Sequence, residues 1–180
     1  MKKELRKEIE LAEGITAQLN KGVLTIKGPK GEVQKSFLHT RVNISVEAKN
    51  IVVFVPLGTK KDKTILSSFV AHIKNMVKGV KEVYVYKLKV CSGHFPITAT
   101  VSGEDFIVKN FLGESVSRKT KIIKGAEVKV NGAEVTVSSP SKEVAGQTAA
   151  RIENLCRITN RDLRIFQDGI YMTQKAGKDI

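Results

Sequence analysis

The sequence predicts an α+β fold of two tandem, duplicated domains, each a mostly antiparallel β-sheet with a helix packed on one face. Three observations carry this prediction. Shifted by 82 residues, the chain matches itself: IKGPKGE (26–32) falls on VKNFLGE (108–114), with identities at Lys27/Lys109, Gly31/Gly113 and Glu32/Glu114. At the same shift ISVEAKNIVVFV (44–55) falls on AEVKVNGAEVTV (126–137). Each reads as two alternating strands about a polar turn, at Lys49–Asn50 and at Asn131–Gly132, which is a hairpin signature. A helical pattern then follows each hairpin, and with the shift relaxed to 79, HIKNM (72–76) falls on RIENL (151–155). Short strands with one helix per repeat bury their apolar faces as a sheet-and-helix pair of layers.

The elements follow in chain order. ELRKEIELAE (4–13) is helical by composition, yet Ile9 and Leu11 alternate as in an edge strand, so both readings stay open. VLTIK (23–27) and EVQKSF (32–37) alternate as strands about GPKG. Over 63–78, Ile65, Leu66, Phe69, Val70, Ile73, Met76 and Val77 share one helical face, with Asp62 placed to cap the start and Gly79 the end. EVYVYKLKV (82–90) opens the second half, which sets the domains at 1–81 and 82–180. A second helix over 142–157, capped by Ser141, turns Val144, Ala145, Thr148, Ile152 and Leu155 inward.

Thirty-one lysines and arginines against eighteen acids give a net charge of +13. An excess of this size favours a polyanionic partner, because neutralised phosphates release counterions and so give affinity without base reading. Nucleic acid fits best; a membrane surface and a merely soluble basic protein remain as alternatives at this point. The halves differ. Residues 1–90 carry 18 basic residues and 8 acids, or +10, whereas residues 91–180 carry 13 and 10, or +3. Arginine runs the other way, with Arg118, Arg151, Arg157, Arg161 and Arg164 all late. Lysine is a hydrated point charge, while the rigid guanidinium fork grips phosphate in two places, so the second half is the better candidate for a defined contact. No apolar run approaches the ~18 residues of a membrane span. The start, MKKELRKEIELAEG, lacks the apolar core of a secretory leader, so a cytoplasmic location is expected. Cys91 and Cys156 fit a reducing compartment and have neither metal nor redox spacing.

Motifs for chemistry are absent. GPKGE (28–32) lacks the spacing of a phosphate-binding P-loop. It spells the GxxG of KH domains, but that loop joins helices, and strands flank this one. It reads as a β-turn with Pro29 second and Gly31 fourth. His39, His72 and His94 have no partners at ligand spacing, and Cys91 with His94 would need two further ligands for zinc. Neither a nucleophile with an adjacent base nor a metal or cofactor site is expected, and the chain does not read as an enzyme. Ten aromatic residues, with no Trp, weigh against a stacking platform for single strands.

Two basic places remain. SRKTKIIKG (117–125) carries Arg118, Lys119, Lys121 and Lys124 just after a strand; a charge run of this kind is also an ordinary solvated face. NRDLRIFQDGIY (160–171) is too apolar for a free tail and too polar for a core strand. Here Asp168–Gly169 marks a turn, Phe166 packs back and Ile170–Tyr171 resumes an apolar pair. An irregular loop pinned in this way would project Arg157, Arg161 and Arg164 from a fixed surface, with Asn160 free to cap or pair. Asp162 and Asp168 would orient the arginines or cap a turn. Such a loop suits the backbone and shape of folded RNA. A C-terminal strand and turn completing the sheet is the plainer reading of the same residues.

Five stretches in order, VLTIKGPKGEV (23–33), AHIKNMVKGV (71–80), YKLKVCSGHFPI (86–97), VKNFLGE (108–114) and NRDLRIFQDGIYMTQK (160–175), make the chain resemble the large-subunit ribosomal protein six family. NFLGE and DGIY point to its archaeal and eukaryotic branch. The resemblance implies two similar α+β domains and a structural role in the large subunit. Its partners would be the large rRNA, bound chiefly through the second domain, and neighbouring ribosomal proteins. Neither a membrane nor a small-molecule substrate is implied. The implied place is near the factor-binding region, by the sarcin–ricin stem and the base of the lateral stalk. On this reading Arg157, Asn160, Arg161 and Arg164 contact rRNA, with Arg118, Lys119 and Lys121 as secondary contacts, while Phe166, Asp168, Gly169 and Tyr171 anchor the loop. From the residues alone, a free-standing module binding RNA or an acidic protein stays open.

Overall fold

The computed structural model describes residues 3–47 and 50–180. Two compact units divide the chain, Met1–Val83 and Tyr84–Ile180. In the first, β1 (Lys3–Glu10), β2 (Thr16–Asn20), β3 (Val23–Gly28), β4 (Gly31–Ser36), β5 (Asn43–Val46) and β6 (Asn50–Gly58) precede helix α1 (Lys60–Lys81). In the second, β7 (Tyr84–Cys91), β8 (Thr98–Ser102), β9 (Asp105–Lys109), β10 (Arg118–Lys121), β11 (Glu127–Asn131) and β12 (Glu134–Ser139) precede α2 (Lys142–Leu155), and β13 (Gly169–Lys175) and β14 (Lys178–Asp179) follow it.

The repeat found in the sequence is a repeat of topology. Each unit has a three-stranded meander, β2-β3-β4 or β8-β9-β10, and a second sheet, β1-β6-β5 or β11-β12-β7-β13-β14. The order β1-β6-β5 corresponds to β7-β12-β11. The sheet expected in each half is therefore two sheets, with antiparallel pairing throughout the described strands. Separate clusters fill the units. Leu24, Ile26, Ile51 and Val53 meet Leu66, Ile73 and Val80 in the first. Leu88, Phe106, Val108, Val135 and Val137 meet Ala145, Ala149 and Ile152 in the second.

Local chemistry explains the departures from the sequence reading. The N-terminal segment is the edge strand β1, since its pairing with β6 from Lys3↔Gly58 to Glu10↔Asn50 satisfies backbone groups that a lone amphipathic helix would satisfy alone. Helix α1 starts earlier than expected. Thr59 is its N-cap, and Asp62 completes a capping box by accepting from the Thr59 amide at 2.9 Å. Gly79 does not end the helix; it is buried inside it, and α1 runs on to Lys81. The second hairpin turns at Gly132–Ala133, because Asn131 still pairs with Glu134 and Gly132 takes the positive φ of +59°. In the first hairpin Asn50 exchanges backbone bonds with Glu47, and Lys49 lies outside the described residues.

GPKG is a tight turn closing β3 and β4, with Gly28 paired to Gly31. Gly28 is there for closeness rather than for φ. A Cβ on it would lie 2.9 Å from both the carbonyl oxygen and the side chain of Val80, and the neighbouring Lys30 amide donates to that same carbonyl at 3.0 Å. The hairpin is thus docked on the last turn of α1. Overpacking against backbone costs about 1–3 kcal/mol, so Gly28→Ala is expected to lower the first unit's stability by that amount in urea unfolding. Thr59→Ala, which removes a cap acceptor, is expected to cost about 1 kcal/mol by the same assay.

Candidate nucleic-acid interface

The site is the segment from the end of α2 to the start of β13. In the first unit, α1 passes through Glu82 and Val83 into β7. In the second, residues 156–168 intervene before β13, and they carry Arg157, Asn160, Arg161 and Arg164.

Arg118 holds the beginning of this loop. Its guanidinium takes both oxygens of Glu114, Nε to Oε2 at 2.8 Å and Nη2 to Oε1 at 2.5 Å. It lies 4.2 Å from the centre of the buried Phe111 ring. Its Nη1 donates to the Leu155 carbonyl at 2.9 Å, a group that the end of α2 leaves without a helical partner. The hydrogen bonds from Arg118 hold the Glu114 carboxyl below its ordinary range. The NFLGE stretch builds this seat. Asn110, Leu112 and Gly113 all take positive φ, of 58°, 50° and 81°, which turns Phe111 inward and leaves Glu114 facing Arg118. Beneath lies Cys156, whose thiol burial pushes up to about 11, so it stays protonated and apolar.

Asp168 holds the end of the loop. Its side chain is only 1% exposed. One carboxylate oxygen accepts the amides of Gly93 and His94, at 2.5 and 3.0 Å, and the other faces His94 Nδ1 at 2.5 Å. An ionised carboxylate only accepts, so His94 carries its proton on Nδ1. Burial pushes the Asp168 carboxyl up, but the bonds from the His94 amide and ring and from the Gly93 amide outweigh it and hold the value below the ordinary one. The His94 ring in turn stacks on Phe166 at 4.9 Å, and the Arg161 guanidinium lies over the Phe166 ring, 4.8 Å from its centroid.

The sequence-derived residues therefore fall into different places. Arg157, Arg161 and Arg164 are exposed on the pinned loop, and Asn160 sits at its bend with φ +57°. Arg164 is bound by Asp162 at 2.7 Å, and the Asp162 carbonyl accepts the amides of Ile165 and Phe166, so the turn lies at 163–165. Asp168–Gly169 is not that turn: Asp168 is a buried acceptor and Gly169 the first residue of β13. Phe166 stacks on the His94 ring. Tyr171 is 43% exposed, and it is Ile170 beside it that is buried. SRKTKIIKG does not follow a strand but begins with β10, on which Lys119 and Lys121 share the exposed face while Arg118 turns inward. Arg118 is thus an organiser of the loop, its donors already engaged. Sequence reasoning missed Phe111, Glu114 and His94 as supports. The self-match marked Glu114 but not Phe111, which falls on Pro29, and nothing local marked His94, whose partner is 74 residues away.

Removing Asp168 strands two amides and a ring N–H, and hydrogen bonds to a charged group contribute about 1.5–3 kcal/mol each. Asp168→Ala is therefore expected to destabilise the second unit by about 2 kcal/mol or more at pH 7. The folded pKa lies below the unfolded value of about 3.9, so this contribution is full above that pH and fades as pH falls through the folded value. Urea unfolding of wild type and variant, followed at second-unit residues at pH 7 and pH 3, should show the gap closing at the lower pH.

Comparison with known proteins agrees with this architecture. Residues 11–83 and 95–169 each match the Ribosomal protein L6 family, one match per repeat. The chain is 42% identical over 176 residues to the large ribosomal subunit protein uL6 of Methanosarcina mazei, covering 98% of this chain and all of that protein. It is 42% identical over 173 residues to the protein of the same name from Halobacterium salinarum, covering 96% and 97%, and 40% identical over 171 to that of Methanobrevibacter smithii, covering 95% and 96%. Matched in both repeats and along nearly its whole length, the chain belongs to the Ribosomal protein L6 family.

Proposed function

We propose that the protein is a structural, non-enzymatic constituent of the large ribosomal subunit in the cytoplasm, and that it holds the large rRNA chiefly through its second unit. The observation that carries the reading is the loop after α2, which presents exposed Arg157, Arg161 and Arg164 while Arg118 and Asp168 fix its two ends. Preorganised arginines lose little freedom on meeting phosphate, and two-pronged donors suit the backbone of folded RNA. Lys119 and Lys121 offer a second, looser patch on β10. The full-length similarity to uL6 proteins supports the assignment to the large subunit, with rRNA and neighbouring ribosomal proteins as partners. The place in the subunit is the factor-binding region, by the sarcin–ricin stem and the stalk base, as the family resemblance implies.

In-cell crosslinking with sequencing of the bound fragments tests the role. One sharp peak in the large rRNA is expected at that region; reads scattered over many RNAs would mean that net charge alone does the binding. A charge-matched comparison tests the loop. Arg161→Glu with Arg164→Glu should weaken rRNA binding more than tenfold and flatten the salt dependence by about one unit per lost phosphate contact. Lys3→Glu with Lys7→Glu, two exposed lysines of β1, should do far less, and equal losses would remove the loop from the interface.

A further inference from the structure

Beside the arginine loop the second unit has an open cleft of about 650 Å³, walled by Cys91, Ser92 and His94 on one side and by Gln167, Asp168 and Tyr171 on the other. That volume is in the range of small-ligand sites, about 300–1,000 Å³, and larger than a single flat ring requires. Tyr171 lines it with a ring folded back over Gly169. A Cβ at that glycine would stand 3.2 Å from the ring edge and the hydroxyl, so the absence of a side chain there is what lets the ring lie against the strand. The cleft therefore has an aromatic wall that is held in place yet exposed.

Its polar groups are uncommitted where they face inward. The Ser92 and Tyr171 hydroxyls make no hydrogen bond among the described residues, and the Gln167 amide reaches only the Arg164 carbonyl, at 3.5 Å. Hydroxyls and an amide can both donate and accept, which matches the mixed edge of a base. The Asp168 carboxylate is already filled by three donors, so it adds no demand of its own. Positive charge stands beside the cleft. The Arg161 guanidinium lies over Phe166, and Phe166 stacks on His94, which is part of the cleft wall. Cation outside, aromatic face and hydrogen-bonding groups inside: the combination fits one nucleotide of an RNA chain.

We propose that this cleft receives a single unpaired nucleobase of the bound RNA, its face on Tyr171, its edge on Ser92 and Gln167, and its adjoining phosphate on Arg161. RNA is read in this way where a bulge or loop base is splayed out and stacked on an aromatic side chain. The inference rests on the RNA-binding reading above and adds a base contact to a set of phosphate contacts, which lets the protein favour a site by the presence of an extruded base.

The test uses the full-length protein on deproteinised archaeal large-subunit rRNA. Ultraviolet irradiation, nuclease digestion and mass spectrometry should find a nucleotide adduct on Cys91 or Tyr171. Tyr171→Ala should weaken binding roughly tenfold or more, the loss typical of one stacked base, without changing the salt dependence, while Tyr171→Phe keeps most of the affinity. Absence of an adduct at both residues, with Tyr171→Ala binding as tightly as wild type, would overturn the cleft even though Arg161→Glu with Arg164→Glu still weakens binding. Failure of the wild type to prefer this rRNA over unrelated RNA at equal salt would instead overturn the RNA reading itself. If Tyr171→Ala does not fold, the adduct on the wild-type protein decides.

Discussion

A buried carboxylate closes this structure where closure matters. Asp168 sits at the point where an irregular loop rejoins the sheet, and it gathers two amides and an imidazole from a stretch far away in the chain. Without it the donors of Gly93 and His94 would lose the charged acceptor that ties them to the loop's end, and hydrogen bonds to a charged group are the stronger kind. Arg118 performs the complementary task at the other end, supplying charge to the orphan carbonyl of α2 while Glu114 and Phe111 hold it still. Between these two fixed points the chain from Arg157 to Gln167 needs no secondary structure of its own to keep a shape. Its arginines are positioned by the ends.

The duplication shows why the loop is where it is. Both repeats spend most of their apolar residues on the same scaffold of meander, second sheet and helix, and the loop adds only its first residues, Cys156 and Ile158, to the second core. In the first repeat the helix leads through two residues into the next strand. In the second it leads into the arginine-bearing segment. The equivalent of the GPKG turn has also grown. A tight hairpin turn docked on α1 in the first repeat becomes, in the second, the NFLGE bend that seats Arg118. Two insertions on one scaffold meet at the end of α2, so the two copies of the duplicated fold differ there.

Charge and arginine placement are divided unequally between the halves. The lysine-rich first half supplies most of the net charge, and long-range attraction needs nothing more than that sum. The second half has little net charge, yet its arginines are held at known places by acids and aromatic rings. Asp162 pairs with Arg164, and Phe166 lies against the Arg161 guanidinium. Surface ion pairs of this kind contribute little stability; their value here is in direction.

The fold class, the two repeats and both helices were legible in the chain because each depends on near neighbours. Periodicity, caps and turn residues act over a few positions, and a duplicated pattern can be seen by laying the sequence on itself. The limits of that reading were also local. Gly79 looks like a helix stop until the packing of α1 keeps the helix running past it, and Asp168–Gly169 looks like a turn until Asp168 is found buried under Gly93 and His94. Arg118 looks like one more cation in a basic run; only the fold brings Glu114, Phe111 and the end of α2 around its guanidinium. Composition and spacing thus determined that the chain would form two small α+β layers and carry arginines near its end. Which of those charges are spent inside the molecule and which are left for a partner was decided by tertiary structure, because a hydrogen bond between residues 93 and 168 has no trace in either neighbourhood until the chain has folded.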